Sequence, residues 1–550
     1  MRNRLTAPVF LASTLVLGIL LWNSVAAGAV PPVSDSVPQR FIAQVHAPIR
    51  VAPDVATGRT INVRTDDLTS TPCPRNGFTG TLSQTHYVYL SLVNKEWENL
   101  PEMVTPDDPH YPTSQWNLPQ IRAPYAWAVS TGSSGVTIAV VDTGVDIDHP
   151  DLAEKLTPGY DFVNDDGCPD DDHGHGTHVA GIAAAATDNA VGIAGLSWEA
   201  RIMPLKVLDG SGRGTVEDAV EAMVHAVDHG ARIVNLSAGS TSTGAGAILQ
   251  SAVDYVHDRG GIVVAAAGNC GDSNYKANGC SYMNQPLYPA SGEHTVAVAS
   301  TTSTDARSGF SNQGGYVDVA APGSYIYSTY PDTYRTKSGT SQATPHVAGL
   351  AALVWATNPS LSNDQVAQVI EETALDLGEP GRDNAFGHGR IDAYRAVARA
   401  AYGPLSTETQ TSADARRAIG MALSADARNP KGFGKPLGFA GSRSAEPPTV
   451  HVPHALESEA APEGSSFEPG VILVKLKSET SARALSLFAS ELAVCAVRVN
   501  GRIPALEILR LSVPKGREME IRARLRHNPA VEYAELNYTI HAVEASQTSP

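Results

Sequence analysis

The stretch GTSQATPHVAG, residues 339–349, is followed directly by the apolar run LAALVW. Glycine and hydroxyl residues predict a tight turn, and the apolar run predicts a helix over Thr344–Thr357. Ser341 then lies where free backbone N–H groups and the positive end of the helix dipole favour negative charge. This serine can be a nucleophile, or Gly-Thr-Ser can simply cap the helix. The stretch alone leaves both interpretations open.

Around this stretch, from residue 104 to 402, short apolar segments alternate with amphipathic ones. Predicted strands are Val136–Val141, Arg201–Val207, Ile233–Ser237, Gly261–Ala266 and Thr295–Ser300, and the other predicted helices are Thr177–Ala186, Val216–His229 and Gly244–Arg259. The pattern predicts an α/β fold, a parallel sheet with helices on both faces. Active sites in such sheets lie beyond the carboxyl ends of the strands, which is where Asp142 stands.

The flanking regions differ in composition from the central one. Residues 1–29 carry Arg2 and Arg4, an apolar run and small residues near Ala27, the order of a secretory signal peptide. We therefore expect a secreted protein with no membrane segment after cleavage. Residues 30–103 predict a leader or pro-region of unknown fold, and residues 403–467, rich in Ser, Ala, Pro and Glu, predict a linker.

Residues 468–550 predict a second compact domain. Its strands and helices follow in the order β-α-β-β-α-β, with the last strand at Val531–Tyr538. That order is typical of a small ferredoxin-like α+β domain.

Charge and cysteine content exclude some functions. A net charge of −17 argues against nucleic-acid partners. Five cysteines do not form a disulfide scaffold, although Cys270 and Cys280 bracket a polar loop and could pair outside the cell. At least one thiol stays unpaired in a monomer, which is the state that we expect.

Two further segments carry polar residues that a fold alone does not require. Asp142 ends an apolar strand, which by itself indicates a turn or a cap. The segment DHGHGTH, residues 172–178, opens an Ala-rich helix. Its three histidines allow a zinc site, but two glycines break the helical spacing that such sites use. Asp, His and Ser in this order, at strand ends and helix starts of one sheet, fit a Ser-His-Asp relay.

The segments DTG (142–144), HGTH (175–178) and GTSQATPH (339–346) resemble the three signatures of the subtilisin-like serine proteases, and the likeness is greatest to the thermitase branch. The resemblance implies that Ser341 attacks the peptide carbonyl and that His175 transfers the proton. It implies that Asp142 holds the imidazole tautomer, and that Asn269 stabilises the oxyanion with the Ser341 N–H.

The same resemblance places the substrate as an extended strand between two edges. These edges are formed by Gly210, Ser211 and Gly212 on one side and by Ser237, Ala238 and Gly239 on the other. Leu287 would form the floor of the specificity pocket, and the family usually has Leu where Ala238 stands. Main-chain recognition with an apolar pocket implies broad endopeptidase specificity. Glutamine at 342 replaces the methionine that the family usually has beside the nucleophile.

Calcium is the cofactor that the resemblance implies, bound by oxygen ligands in a structural role. One site would use the side chains of Asp108, Asp151 and Asn189 with the carbonyl groups of Thr187, Val191 and Ile193. A second would use Asp161, Asp166 and Asp170, which equally fit a solvated acidic loop.

Residues 468–550 resemble the subtilisin pro-domain, which in that family normally precedes the protease, assists its folding and inhibits it. Here the module follows the catalytic region. We predict either an intramolecular chaperone or inhibitor, or an accessory binding domain of the same fold. The whole chain predicts a secreted, calcium-stabilised serine endopeptidase; the alternative is a non-catalytic protein that keeps the fold and binds peptides.

Overall fold

The computed structural model describes residues 100–273, 276, 280–403, 466–543 and 545. The predicted signal peptide, the leader up to residue 99 and linker residues 404–465 lie outside the described residues. All described residues belong to one compact unit, Asn94–Pro550. No helix within the described part is long and apolar enough to cross a bilayer.

A parallel sheet forms the centre of residues 104–402, as the alternating pattern predicts. In chain order its strands are β1 (Thr137–Asp142), β2 (Tyr160–Asp161), β3 (Arg201–Lys206), β5 (Ile233–Leu236), β7 (Ile262–Ala266), β8 (Thr295–Thr301) and β9 (Val319–Pro322). They lie in the order β2-β3-β1-β5-β7-β8-β9, and every neighbouring pair is parallel. Because β1, β5 and β7 are central, their carboxyl ends meet at one place on the sheet edge.

Helices cover both faces of this sheet. They are α1 (Tyr111–Ser114), α2 (Asn117–Gln120), α3 (Ala123–Trp127), α4 (His175–Ala184), α5 (Val216–Asp228), α6 (Thr243–Asp258), α7 (Thr340–Thr357), α8 (Asn363–Thr373) and α9 (Ala393–Tyr402). Helices α4 and α7 pack with Ile138 and Val140 in one core, whereas α5 and α6 pack with Ala139 and Val141 in another. Alternate residues of β1 thus point to opposite faces.

Two short strands and one hairpin complete this region. Strands β4 (Arg213–Thr215) and β6 (Ala238–Gly239) lie outside the parallel sheet, and β10 (Ile326–Tyr330) pairs with β11 (Thr333–Lys337) as an antiparallel hairpin. The hairpin contacts α4 through Ser328 Oγ, which donates to His178 O at 2.8 Å.

Helix α7 begins at Thr340, so the prediction that it starts at Thr344 is wrong. Pro345 therefore lies inside the helix and has no N–H for the carbonyl of Ser341 four residues earlier. The hydroxyl of Ser237 donates to that carbonyl instead, at 3.1 Å. A proline near a helix start is tolerated when another donor replaces its missing bond, and this places Ser341 in the first turn.

The C-terminal module has the predicted β-α-β-β-α-β order. Its elements are β12 (Phe467–Leu476), α10 (Ala482–Val494), β13 (Arg498–Ile503), β14 (Ile508–Ser512), α11 (Glu518–Arg526) and β15 (Val531–Ala542). The strands lie in the order β13-β14-β12-β15 and pair antiparallel. The ferredoxin-like name stays a prediction. Strand β15 continues four residues beyond the predicted end at Tyr538, and these residues leave the module's own sheet.

Candidate active site

Asp142 and His175 meet at the carboxyl edge of the sheet. Asp142 ends β1 and His175 begins α4, and both side chains are fully buried. Asp142 Oδ1 lies 2.6 Å from His175 Nδ1 and also accepts a hydrogen bond from Thr143 N at 2.8 Å. With Nδ1–H as the donor to this carboxylate, the imidazole is held in one tautomer. This tautomer leaves Nε2 as the nitrogen that can take a proton.

Asp171 holds the start of α4 in place, a role that we did not predict from the sequence. Its carboxylate accepts from Gly174 N at 2.8 Å, from Thr177 N at 2.9 Å and from Thr177 Oγ1 at 2.6 Å. Thr143 Oγ1, next to Asp142, donates to the same carboxylate at 2.8 Å. Asp171 therefore joins the end of β1 to the start of α4. An acidic residue just before a helix start was the available signal.

Ser341 lies at the second residue of α7 and is fully buried. Its hydroxyl is 3.1 Å from the carbonyl oxygen of Ser237 and forms a short contact with the carbonyl oxygen of Val543, to which it is a donor. Val543 follows β15, so the end of the C-terminal module reaches the serine.

The side chain of Asn269 points at the same carbonyl. Asn269 Nδ2 donates to Val543 O at 2.9 Å. Its other amide atom, Oδ1, accepts from Thr340 N and from Thr340 Oγ1, both at 3.0 Å, and Gly268 N donates to that hydroxyl at 3.2 Å. These bonds fix Nδ2 as the end of the amide that faces the carbonyl. Thr340 is thus a positioning residue for Asn269, a role that we did not expect from the sequence.

The last residues of the module, Thr539–Val543, lie as an extended strand in the cleft, and we call them the tail. The tail pairs antiparallel with β4 on one side, where Ile540 is opposite Gly214, and with β6 on the other, where Ala542 is opposite Ala238. Ala542 N donates to Gly212 O and Val543 N donates to Ser237 O, both at 3.0 Å. These are the main-chain bonds that an extended peptide makes between two strand edges.

The predicted edge residues fall into two groups. Gly212, Ser237, Ala238 and Gly239 face the tail, and Leu287 shares a small apolar cluster with Ala266 and Val543. Gly210 and Ser211 instead form a turn beside Asp209, whose carboxylate accepts from Ser211 Oγ at 2.6 Å. Within the described residues they make no backbone hydrogen bond with the tail, because the edge that pairs with it starts at Gly212.

Two further histidines near the site, His178 and His346, are held neutral by burial. His178 Nε2 lies 3.1 Å from Ile326 O, and burial lowers the pKa of this ring to about 3. His346 Nδ1 lies 2.9 Å from Gln342 O, and burial lowers its pKa to about 4. A carbonyl only accepts, so each of these nitrogens carries a proton and is unsuited to a metal. Nothing in this arrangement favours the zinc alternative.

The first predicted calcium site brings together two buried carboxylates. Asn189 N donates to Asp108 Oδ1 at 3.3 Å, and Asn189 Nδ2 lies 3.5 Å from Asp151 Oδ1. Burial raises the pKa of both carboxyl groups, and the charge of Asp151 raises that of Asp108 further. A hard dication would relieve this cost, so the two carboxylates fit calcium. Asn189 instead directs its Nδ2 towards Asp151, and its Oδ1 accepts from Val191 N at 2.8 Å.

The carbonyl donors predicted for this site, Thr187, Val191 and Ile193, lie in the loop that contains Asn189. Ile193 N donates to Asp151 Oδ2 at 2.9 Å, which ties the loop to the carboxylates. Across the described ranges, no group of three or more His, Cys, Asp or Glu side chains is arranged to hold a metal. A cation here would therefore need amide and carbonyl oxygens as well.

The second acidic cluster is a self-contained loop. Asp161 Oδ1 accepts from Val163 N at 2.8 Å and Asn164 N at 2.9 Å, and Asp166 Oδ1 accepts from Cys168 N at 2.8 Å. Asp170 Oδ1 instead accepts from Ile147 N at 3.3 Å. The bonds of Asp161 and Asp166 belong to turns, whereas that of Asp170 joins a separate segment, and none of them by itself indicates a ligand.

Cys270 and Cys280 form a disulfide, the pairing that their positions around one loop allow. Of the described cysteines, Cys168 is exposed and Cys495 is buried in the module, and both are free thiols. Neither lies at the site.

Comparison with known proteins agrees with the fold. The subtilase family model matches residues 133–389, and the model of the fervidolysin N-terminal prodomain matches residues 453–537. Thermitase from Thermoactinomyces vulgaris is 47% identical over 294 residues, 53% of this chain and 99% of thermitase. Thermophilic serine proteinase from Bacillus sp. (strain AK1) is 45% identical over 310 residues, covering 56% of this chain and 71% of that protein.

Subtilisin BL from Lederbergia lenta is 39% identical over 283 residues, 51% of this chain and 98% of that protein. The chain therefore belongs to the subtilase family. It is a serine endopeptidase, and the module that follows its catalytic region is similar to a prodomain that in fervidolysin is N-terminal.

Proposed function

We propose that this chain is a secreted endopeptidase of broad specificity, with catalytic region 104–402 and residues Asp142, His175, Ser341 and Asn269 as its catalytic machinery. The observation that carries the proposal is the position of the Val543 carbonyl, between Ser341 Oγ and Asn269 Nδ2. A substrate carbonyl at this position meets the nucleophile and the oxyanion donor together.

The reaction that we propose is that of a Ser-His-Asp relay. Ser341 Oγ attacks the peptide carbonyl while His175 Nε2 takes the hydroxyl proton, and Asp142 stabilises the imidazolium through Nδ1. Asn269 Nδ2 stabilises the oxyanion, together with the Ser341 N–H. His175 then gives the proton to the departing amine, and water hydrolyses the acyl-enzyme by the same steps in reverse.

Substrate binding relies on backbone groups of Gly212, Ser237 and the neighbouring edges, which any extended peptide can pair with. The small apolar cluster with Leu287 favours apolar side chains before the cleaved bond. These features support broad specificity. The rival function, peptide binding without catalysis, needs the same edges but not the Asp142–His175 contact.

A fluorophosphonate probe and casein hydrolysis test the proposal. The chain ending at Gly403, which lacks the module that fills the cleft, is expected to be labelled and to hydrolyse casein, and the same chain with Ser341→Ala to do neither. A folded chain of this length that binds peptides but is neither labelled nor active would favour the binding function.

We propose calcium as a structural cofactor at Asp108, Asp151 and Asn189, completed by carbonyl groups of Thr187, Val191 and Ile193. For Asp161, Asp166 and Asp170 the proposal is a weaker second site. When bound, calcium neutralises buried carboxylates and stabilises the loop. Isothermal titration of the chain carrying Ser341→Ala tests this: Asp151→Asn should remove the tight binding event, and Asp166→Asn should keep it. Binding unchanged by Asp151→Asn would contradict the assignment.

We propose that the C-terminal module inhibits the catalytic region within one chain, so that the secreted protein is a zymogen. We also propose that it is a monomer without nucleic-acid or membrane partners. A chain ending at Gly403 should show more hydrolysis per titrated active site than the full chain. Purified residues 468–550, added at micromolar concentration, should inhibit it again. Equal activity of both forms would favour the accessory binding role.

A further inference from the structure

We propose that His225 and His229, at the end of α5, form a binding site for one divalent transition-metal ion such as Zn²⁺. The site is separate from the catalytic residues and from both proposed calcium sites. It offers imidazole nitrogens, which suit zinc and copper, whereas calcium prefers oxygen ligands. The inference goes beyond the proposed function and does not rest on it.

The two histidines lie one helical turn apart, in the sequence HAVDH, residues 225–229. Helix α5 runs to Asp228, and the N–H of His229 still donates to His225 O at 3.0 Å. Their ring centroids are 3.8 Å apart, with 18° between the planes. Two histidines at this spacing hold zinc in the H-E-x-x-H helices of metalloproteases. Rotation of either ring about its Cβ–Cγ bond lets both Nε2 atoms face one ion.

His229 already has the tautomer that a metal ligand needs. Its Nδ1 lies 2.8 Å from His225 O, and because a carbonyl oxygen only accepts, this nitrogen carries the proton. The lone pair of Nε2 is therefore available, and no described residue forms a hydrogen bond or an ion pair with this atom. Histidines that bind metals usually donate their other ring N–H to a carboxylate or a backbone carbonyl, which fixes the ring.

The surroundings of His225 favour a neutral ring beside a bound cation. Its ring is half-buried against Tyr160 and Phe162, whose ring centroids each lie 5.8 Å away. Burial and the neighbouring His229 lower the pKa of His225, and a neutral imidazole is the form that binds a metal. The negative end of the α5 dipole and the carboxylate of Asp228 favour positive charge at the same place.

A second pair of stacked histidines differs from this one in its partners. The rings of His257 and His294 are 4.0 Å apart, with 12° between the planes. His257 Nε2 lies 2.9 Å from Asp364 Oδ1, and His294 Nδ1 lies 3.3 Å from Asp254 Oδ1. Each ring of this pair is thus already joined to a carboxylate, and the two residues do not share a helix. The second pair is therefore a control for the effect of stacking alone.

Isothermal titration with zinc chloride tests the site in the full-length chain carrying Ser341→Ala, which cannot digest itself. The protein is first treated with EDTA and then kept in excess calcium near neutral pH, so that oxygen sites are filled. We expect one zinc-binding event that His225→Gln and His229→Gln each weaken by about tenfold or more, because one imidazole lacks the effective concentration of a chelating pair. His257→Gln is the matched control and should keep the zinc affinity.

Urea unfolding gives a second measurement on the same chains. Zinc should raise the urea midpoint of the Ser341→Ala chain, because an ion that binds only the folded state stabilises it. It should leave the midpoint of the His229→Gln form unchanged. His229 is exposed, so this substitution should preserve the fold, and circular dichroism checks that it does.

Three results would overturn the site. The first is no zinc binding by the chain with both histidines. The second is zinc binding that His225→Gln and His229→Gln leave unchanged, and the third is equal weakening by His257→Gln. Because every chain in these experiments lacks the Ser341 hydroxyl, none of the results bears on the proposed function.

Discussion

The catalytic region and the C-terminal module contribute to the cleft in different ways. The catalytic region supplies side chains that its own buried contacts fix, such as Asp171 at the start of α4 and Thr340 beside Asn269. The module supplies main-chain groups of Thr539–Val543, which any extended peptide has. The cleft alone therefore cannot distinguish this module from another extended peptide. Selective binding of the module must come from contacts outside the cleft.

One such contact is a polar cluster between the two parts. Glu217, in the first turn of α5, pairs with Arg510 and accepts from Asn537 Nδ2 at 3.0 Å. Asn537 Oδ1 accepts from Glu217 N at 3.1 Å, and Arg510 Nη2 also binds Glu468 Oε1 at 2.9 Å. An extended substrate in the cleft has none of these groups.

The largest expected effect concerns a side chain of the catalytic region. Asn269→Ala removes the amide that faces the Val543 carbonyl, and kcat should fall by about 10²–10³, the magnitude measured for such a donor in subtilisin itself. Binding of the tail should change much less, because its backbone pairs remain. Steady-state kinetics on a fluorogenic peptide, with circular dichroism as the control for folding, measures this. An unchanged kcat would contradict the role of Asn269.

The second prediction concerns the stability of the catalytic region. His346 is fully buried and neutral, and its pKa of about 4 lies below the ordinary value of 6.5. Its contribution is therefore present above pH 6.5 and is lost as the pH falls towards 4, by about 3 kcal/mol. In the Ser341→Ala background, His346→Gln should flatten the pH dependence of the free energy of unfolding in this range.

Urea unfolding at several pH values measures that dependence. His527→Gln, at an exposed position of the module, is the matched control and should keep the wild-type slope. The same slope in His346→Gln would show that the buried ring does not contribute.

The third prediction concerns the contact between the module and the catalytic region outside the cleft. Arg510→Ala leaves the buried Glu217 without its cation, and burial already raises the pKa of this carboxyl to about 7. We expect docking to weaken by about 2 kcal/mol, roughly 30-fold, at the low end for a buried pair because Arg510 is 27% exposed. Inhibition of the Gly403-terminated chain by added residues 468–550 measures this.

Arg517→Ala is the control for that variant. Arg517 pairs with Glu520 inside the module, and both side chains are largely exposed. The inhibition constant of the module carrying Arg517→Ala should stay within about twofold of the wild-type value, since exposed ion pairs contribute little to binding. If Arg517→Ala weakens inhibition as much as Arg510→Ala does, the Glu217–Arg510 pair does not account for selective binding of the module.

The parts of the site that local sequence determines were predictable. Asp142 and His175 lie where a strand ends and a helix begins, and hydrophobic periodicity finds such boundaries within a few residues. The start of α7 was missed because Pro345 normally indicates a helix boundary. The hydroxyl that donates to the Ser341 carbonyl in place of the missing Pro345 N–H comes from Ser237, which is distant in sequence.

The contacts that join distant segments were not predictable in this way. The last four residues of β15 pair with β4 and β6, which precede them by some three hundred positions, and nothing in their own pattern indicates a partner. The Glu217–Arg510 pair is similar, because each side chain alone fits a solvated surface. Periodicity describes burial within one element and carries no information on which elements meet.

The smallest effect concerns Gln342, which adjoins both the nucleophile and the tail. The side chain is fully buried, and its two polar atoms have no hydrogen-bond partner among the described residues. A Cβ atom at Gly339 would lie 2.8 Å from Gln342 Oε1 and 2.9 Å from Val543 O, so Gln342 lies close to the carbonyl that Ser341 Oγ contacts. A thioether at this position would become a sulfoxide under peroxide and place a new polar oxygen there.

We therefore expect the wild type to keep its activity in peroxide and Gln342→Met to lose most of it. Before oxidation the methionine should be as stable as the glutamine or more so, because it buries no unpaired amide. Leu353→Met is the matched control, since Leu353 is equally buried in α7 but lies more than three turns from Ser341. Residual peptide hydrolysis after peroxide treatment measures the effect. Equal survival of Gln342→Met and Leu353→Met would mean that adjacency to the nucleophile does not matter.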